Sequence, residues 1–343
     1  MPKQHTYSLS FSILIVVLVL CVFVNISIGT VSIPLKAIFN SLIGNPTEQE
    51  TWQFIINNYR LPKAITAIIV GSGLGVSGLL MQTLFRNPLA GPFVLGISSG
   101  ASLGVALVIL GSGIFGGVFA SLFISKWGIV LAASLGSFLV LLAVLSVSLK
   151  VRDTMAILII GLMFASITAA FVSVLSYFGS AEQLQQYIFW GFGSLGNLSW
   201  EDITILAILY TVGIVLALVS VKALNTLLLG ENYAKSLGLN IKQSRVIIII
   251  ATSLLAGTIT AFTGPIAFIG LAIPHITRQV FNTSNHNILL PAVFLFGAIV
   301  MLICDSISQL PNSDATLPIN AVTALVGAPV VIWLLVRKRK MIF

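Results

Sequence analysis

The sequence predicts an all-α, polytopic transmembrane helical bundle of about ten spans, with the N- and C-termini cytoplasmic. Three observations carry this. Only 8% of the 343 residues are charged and 57% are hydrophobic, where soluble chains hold roughly a quarter charged residues; mean hydropathy is +1.09. The apolar runs are continuous rather than alternating, which selects helices over a barrel. The Lys and Arg residues, finally, fall unevenly between alternate connections.

The predicted spans are approximately 10–30, 62–83, 93–111, 127–148, 154–178, 201–221, 245–263, 266–280, 288–308 and 318–336, most of them near the ~20 residues that cross a hydrocarbon layer. The first run, 11–24, could mimic a signal peptide. It lacks a strongly basic start and an Ala-x-Ala site, and further spans follow, so it reads as a retained span. The second opens with Arg60 and Lys63 around Pro62 and closes at Arg86-Asn87-Pro88. The third carries Gly96, Gly100 and Gly104 at spacing four, a smooth stripe for close helix contact. Segment 111–126 either lengthens the fourth span or lies in the outer interface. The fifth is rich in small residues, from Gly161 to Ser173. The eighth is short and interrupted by Pro274. Residues 1–343 form a single domain without a low-complexity linker.

An even number of spans puts both termini on one side, and the positive-inside rule selects which. With both termini inside, thirteen basic residues are inner: Lys3, Arg86, Lys150, Arg152, Lys222, Lys235, Lys242, Arg245, Arg278 and 337–340. Four are outer: Lys36, Arg60, Lys63 and Lys126. The net charge of +8 is therefore a matter of membrane orientation and not of nucleic-acid binding. Of the longer connections, 31–61 and 179–200 lie outside, the former with a surface helix near 31–42, the latter aromatic (Tyr187, Phe189, Trp190, Phe192, Trp200). An amphipathic segment, about 222–244, lies inside.

Gly-x-Gly-x-x-Gly occurs three times, from Gly73, Gly111 and Gly191, but never in the strand-to-helix context of a dinucleotide site. No Gly-x-x-x-x-Gly-Lys-Ser/Thr loop exists, so any use of ATP resides in a partner. Cys21 and Cys304 lie in apolar runs and read as packing residues. His275 lacks a second ligand at metal-binding spacing and reads as structural. Asp305, an acid near the outer end of the ninth span, either has a function, reaches water or caps a neighbouring helix. No catalytic pair, cofactor site or metal site is expected. Gly91-Pro92 opens the third span and Gly264-Pro265 the eighth, a faint internal repeat.

Inside, Leu229-Gly230-Glu231-Asn232-Tyr233-Ala234-Lys235-Ser236-Leu237-Gly238 predicts a short helix between two glycines. Glu231 and Lys235 stand in the order that favours a helical ion pair, and Ala234 and Leu237 fall on one side.

Several motifs resemble the membrane subunits of the FecCD family, which serve bacterial ABC importers of iron–siderophore complexes, haem and vitamin B12. They are Arg60-Leu61-Pro62-Lys63, Gly78-Leu79-Leu80-Met81-Gln82, Arg86-Asn87-Pro88-Leu89-Ala90, Leu95-Gly96-Ile97-Ser98-Ser99-Gly100-Ala101, the 229–238 segment, Gly264-Pro265 through Arg278, and the last span. The resemblance covers residues 59–336. Thr316, Asn320 and Gln309 depart from it, where the family usually has an acid, a glycine and a basic residue.

The resemblance implies a permease subunit in the bacterial cytoplasmic membrane that catalyses no bond chemistry. It implies a homodimer with a second permease copy, two ABC ATPase subunits below, and a periplasmic or lipid-anchored substrate-binding protein delivering a metal chelate or corrinoid. It assigns binding-protein docking to Arg60 and Lys63, ATPase coupling to Gly230, Glu231, Ala234, Lys235, Leu237 and Gly238, and the cytoplasmic gate to Asn87, Leu89, Thr154 and Met155. The alternative is a secondary transporter driven by an ion gradient, which would need intramembrane acids, for which only Asp305 is a loose candidate, or a broken-helix cation site.

Overall fold

The computed structural model describes residues 4–112, 125–151, 154–309 and 316–336. Its helices, in chain order, are α1 (Gln4–Ser27), α2 (Leu35–Leu42), α3 (Glu50–Ile55), α4 (Leu61–Leu84), α5 (Ile97–Ile109), α6 (Lys126–Lys150), α7 (Thr154–Phe178), α8 (Ala181–Gly191), α9 (Trp200–Val219), α10 (Val221–Leu227), α11 (Glu231–Ser236), α12 (Ile241–Thr263), α13 (Ile269–Phe281), α14 (His286–Ser308) and α15 (Ile319–Val336). Each predicted span has its helix. Among the described residues, seven helical stretches are long and apolar enough to cross a membrane. The helices of the third, eighth and tenth predicted spans are not among these, and α5 and α13 have 13 residues each. Most of segment 111–126, the basic residues Lys3, Arg152 and 337–340, and Asp314 lie outside the described residues.

The bundle is built around α4. Every residue from 69 to 84 is buried, and the helix packs on α14, α12 and α13. Glycine makes these contacts possible. A Cβ on Gly71 would lie 2.1 Å from the Gly297 carbonyl oxygen of α14, and one on Gly78 would lie 1.6 Å from that of Gly270 in α13. The first Gly-x-Gly-x-x-Gly thus lies in helix contacts: Gly78 meets the Gly270 backbone, while Gly73 meets the side chains of Ile259 and Tyr210. The predicted stripe on α5 divides. Gly100 and Gly104 meet α6 at Gly136 and Ala132, whereas Gly96 precedes the helix at φ +74° and faces α7 at Gly161.

The Gly-Pro repeat has a conformational counterpart. After Gly91-Pro92, a single 3-10 turn (Pro92–Leu95) ends at Gly96 in the left-handed region, and a 13-residue helix begins. After Gly264-Pro265, Phe268 at φ +66° precedes another 13-residue helix. Phe268 is bulky for that region, and it is held against Gly327 of α15, where a Cβ would come within 2.4 Å of its own.

Two connections hold more helix than predicted. α3 continues through a π-turn (Ile56–Arg60) into α4. Pro62, at the start of α4, has no N–H to return to the turn before it, and the ladder widens there. The aromatic segment 179–200 contains α8, started by a reciprocal capping box between Ser180 and Gln183. Ser199 and Asp202 start α9 in the same way.

Candidate functional site

Segment 222–244 begins where α9 gives way to α10. α11 follows Gly230 at φ +101° and is followed by Gly238 at φ +83°, so both brackets occupy conformations that glycine alone adopts freely. Ala234 is fully buried: its N–H donates to the Gly230 carbonyl (2.9 Å), and its carbonyl accepts from the Leu239 N–H (3.0 Å). Leu237 faces the other way, with 60% of its surface exposed. The expectation that Ala234 and Leu237 share one face is thereby corrected. α11 is only six residues long, and Ala234 anchors it to the bundle. Leu229, Tyr233 and Leu237, at spacing four, are the large apolar side chains left in the open.

The expected pair between Glu231 and Lys235 is also corrected. Glu231 pairs instead with Arg245 of α12 (3.2 Å), and Lys235 is exposed. A buried guanidinium offers a fixed fork of donors that a lysine one turn away cannot match. Arg245 donates in addition to the Val151 carbonyl at the end of α6 (3.2 Å).

The proposed gate residues lie on two turns. Asn87 Oδ1 accepts from the Leu89 N–H (2.9 Å) and closes the turn after α4, leaving Leu89 exposed. Arg86 precedes it at φ +46°, its guanidinium 3.5 Å from the Leu228 carbonyl. Thr154 opens α7, but its side chain lies outside the described residues; Met155 is exposed.

At the opposite end of α4, Arg60 is buried. It donates to the carbonyls of Ile26 (2.7 Å), Ser27 (3.1 Å) and Val31, and so closes the C-terminus of α1. As a surface charge it is corrected: its donors are committed to backbone oxygens. Lys63 is partly exposed and pairs with Asp305 (3.1 Å). The Asp305 carboxylate also accepts from Asn25 (2.9 Å) and Gln309 (2.9 Å), so it ties α14 to α1 and α4. Gln309, where the family usually has a basic residue, is one of its partners. These groups line a cleft of about 660 Å³, with Tyr59, Phe189 and Phe192 on its walls.

The profile of the FecCD transport family matches residues 17–337. The chain belongs to the FecCD transport family. It is 38% identical over 288 residues to the vitamin B12 import system permease protein BtuC of Klebsiella pneumoniae, covering 84% of each chain. It is 33% identical to the hemin transport system permease protein HmuU of Yersinia pestis, covering 92% of this chain and 91% of the relative. Among solved structures it superposes with a TM-score of 0.82 and 31% identity on a metal-chelate type ABC transporter in an inward-facing conformation, covering 94% of this chain and 97% of that one.

The FecCD chain also contains a buried polar chain that the sequence reading missed. Arg278 donates to Gln82 Oε1 (3.0 Å) and Thr83 Oγ1 (3.2 Å). Thr83 Oγ1 meets His286 Nε2 (2.8 Å), and His286 Nδ1 meets Asn225 Oδ1 (2.9 Å). It links α4, α13 and α14 to α10, at the start of segment 222–244. The participating histidine is His286, while His275, eleven residues earlier, is half-buried. A polar pair at the end of an otherwise apolar span, Gln82-Thr83, was the available signal.

Proposed function

We propose that this chain is the permease subunit of a binding-protein-dependent ABC importer for a bulky metal chelate or corrinoid, of the siderophore, haem or cobalamin type. The observation that carries this reading is the inner segment. A short helix is anchored by Ala234, bracketed by two left-handed glycines, and presents Leu229, Tyr233 and Leu237 to the outside of the molecule. Exposed apolar side chains clustered on a rigid element suit a partner protein, and in the FecCD setting the fitting partner is an ATPase. Two copies of the chain form the pathway and two ATPase subunits bind to the inner segments. The termini and residues 222–244 face the cytoplasm, and the cleft around Lys63 faces the binding protein. There Lys63 contributes charge, while Arg60 holds the shape of the docking surface. The turns at Asn87–Leu89 and Thr154–Met155 form the inner constriction.

Transport then follows from a two-state equilibrium. ATP binding and hydrolysis in the partner alter the relative stability of outward- and inward-facing packings, and substrate moves because the two differ in access and affinity. The ion-gradient alternative has less support. Its one candidate acid, Asp305, already accepts from Lys63, Asn25 and Gln309.

Affinity purification of the tagged chain from its own membrane tests the proposal. An ABC ATPase subunit is expected in equal number. Isolation as a chain free of any ATPase, at full stability, would overturn it.

A further inference from the structure

Arg245 joins the start of α11 to the end of α6. One guanidinium nitrogen holds Glu231, the first residue of α11; the other holds the carbonyl of Val151, at the end of α6 and three positions before Thr154. Arg245 is itself buried, near the start of the 23-residue α12. A guanidinium is planar and its two terminal nitrogens are fixed relative to each other. Displacement of Glu231 is therefore passed to Val151 with little slack. The Asn87 turn has a different contact with the inner segment, through Arg86 and the Leu228 carbonyl.

We infer that Arg245 is a positioning residue that transmits movement of the coupling helix specifically to the Thr154–Met155 side of the inner constriction. This rests on the importer reading above. It assigns the two sides of the constriction to separate mechanical links: Arg245 for one and the Arg86 turn for the other. A residue that only stabilised the fold would affect both sides alike.

The test uses the full permease–ATPase complex in lipid nanodiscs, in a background without Cys21 and Cys304. Single cysteines replace Leu89 or Met155, both exposed. The rate of modification by a bulky maleimide is measured with and without ATP. In the otherwise wild-type complex both positions should respond to ATP. With Arg245→Met, position 155 should lose its response and position 89 should keep it. Glu231→Gln alters a half-exposed side chain that tolerates change, and it should weaken the response at 155 roughly two- to thirty-fold, the range of single links in coupling chains. This variant serves if Arg245→Met fails to accumulate. Wild-type responses at both positions in the variants, or equal loss at both, would overturn the inference. Absence of any ATP response in the wild-type complex would instead count against the importer reading itself.

Discussion

Charge placed on the two faces of α11 should have opposite consequences. Ala234 is fully buried and Leu237 is 60% exposed, three positions apart. Ala234→Asp puts a carboxylate into the buried apolar cluster that contains Ala234; taking a charge out of water costs several kcal/mol even after relaxation. That exceeds what a six-residue helix can absorb, so the inner segment should detach or the chain should fail to accumulate. Leu237→Asp changes an open side chain, where substitutions stay within about 0.5 kcal/mol of neutral. If Leu237 and Tyr233 anchor an ATPase, however, removing one should cost about 2–4 kcal/mol of association, as central anchors of interfaces do. Since 1.4 kcal/mol is tenfold in affinity, Leu237→Asp and Tyr233→Ala should each weaken ATPase binding roughly 30- to 1,000-fold. Thermal unfolding of the isolated chain and titration with the ATPase in nanodiscs separate the two effects. A normal ATPase affinity in both surface variants would refute the assignment of this face.

Three further outcomes are expected. Gly78→Ala should destabilise the bundle by more than the ~1–3 kcal/mol of ordinary overpacking, because its Cβ would meet the Gly270 backbone at 1.6 Å; an unchanged unfolding temperature would contradict the helix contact. Lys63→Met should lower stability by about 1–3 kcal/mol, less than a fully buried pair would lose because Asp305 keeps Asn25 and Gln309 as donors, and Asp305→Asn in the same chain should recover part of it in thermal denaturation. Equal losses would mean that the pair carries no linkage. Labelling of cysteines at Glu182 and Lys235 from outside should reach the first and miss the second, and the reverse would invert the orientation.

Much of the fold was legible because lipid-spanning helices have one dominant signal, a long apolar run with charged ends. The ten predicted segments all became helices, and the glycines of α4 and α5 marked close contacts. What the sequence concealed is side-chain direction on short elements. α11 has too few residues to show a period, so Ala234 and Leu237 could not be sorted into buried and exposed. Pairing was hidden as well. Glu231 has a basic neighbour four residues on, yet its partner is fourteen residues away, across a loop whose path only the fold determines. Arg60 looked like an exposed cation because it begins a span, but its partners are carbonyls at the end of α1. The chain from Gln82 to Asn225 joins four helices through common residue types and leaves no motif. The capping boxes at Ser180 and Ser199 are legible in the sequence, while the aromatic residues of α8 suit a membrane interface as well as a helix.

Uptake driven by ATP alone tests the central claim most directly. The chain is reconstituted with its ATPase and binding protein in vesicles, and vitamin B12, hemin and a ferric siderophore are offered as probes. The account predicts accumulation of at least one of these that needs ATP on the ATPase side and persists when ionophores collapse every ion gradient. Accumulation by the chain without ATPase, driven by an imposed proton or sodium gradient and abolished by the ionophore, would contradict it.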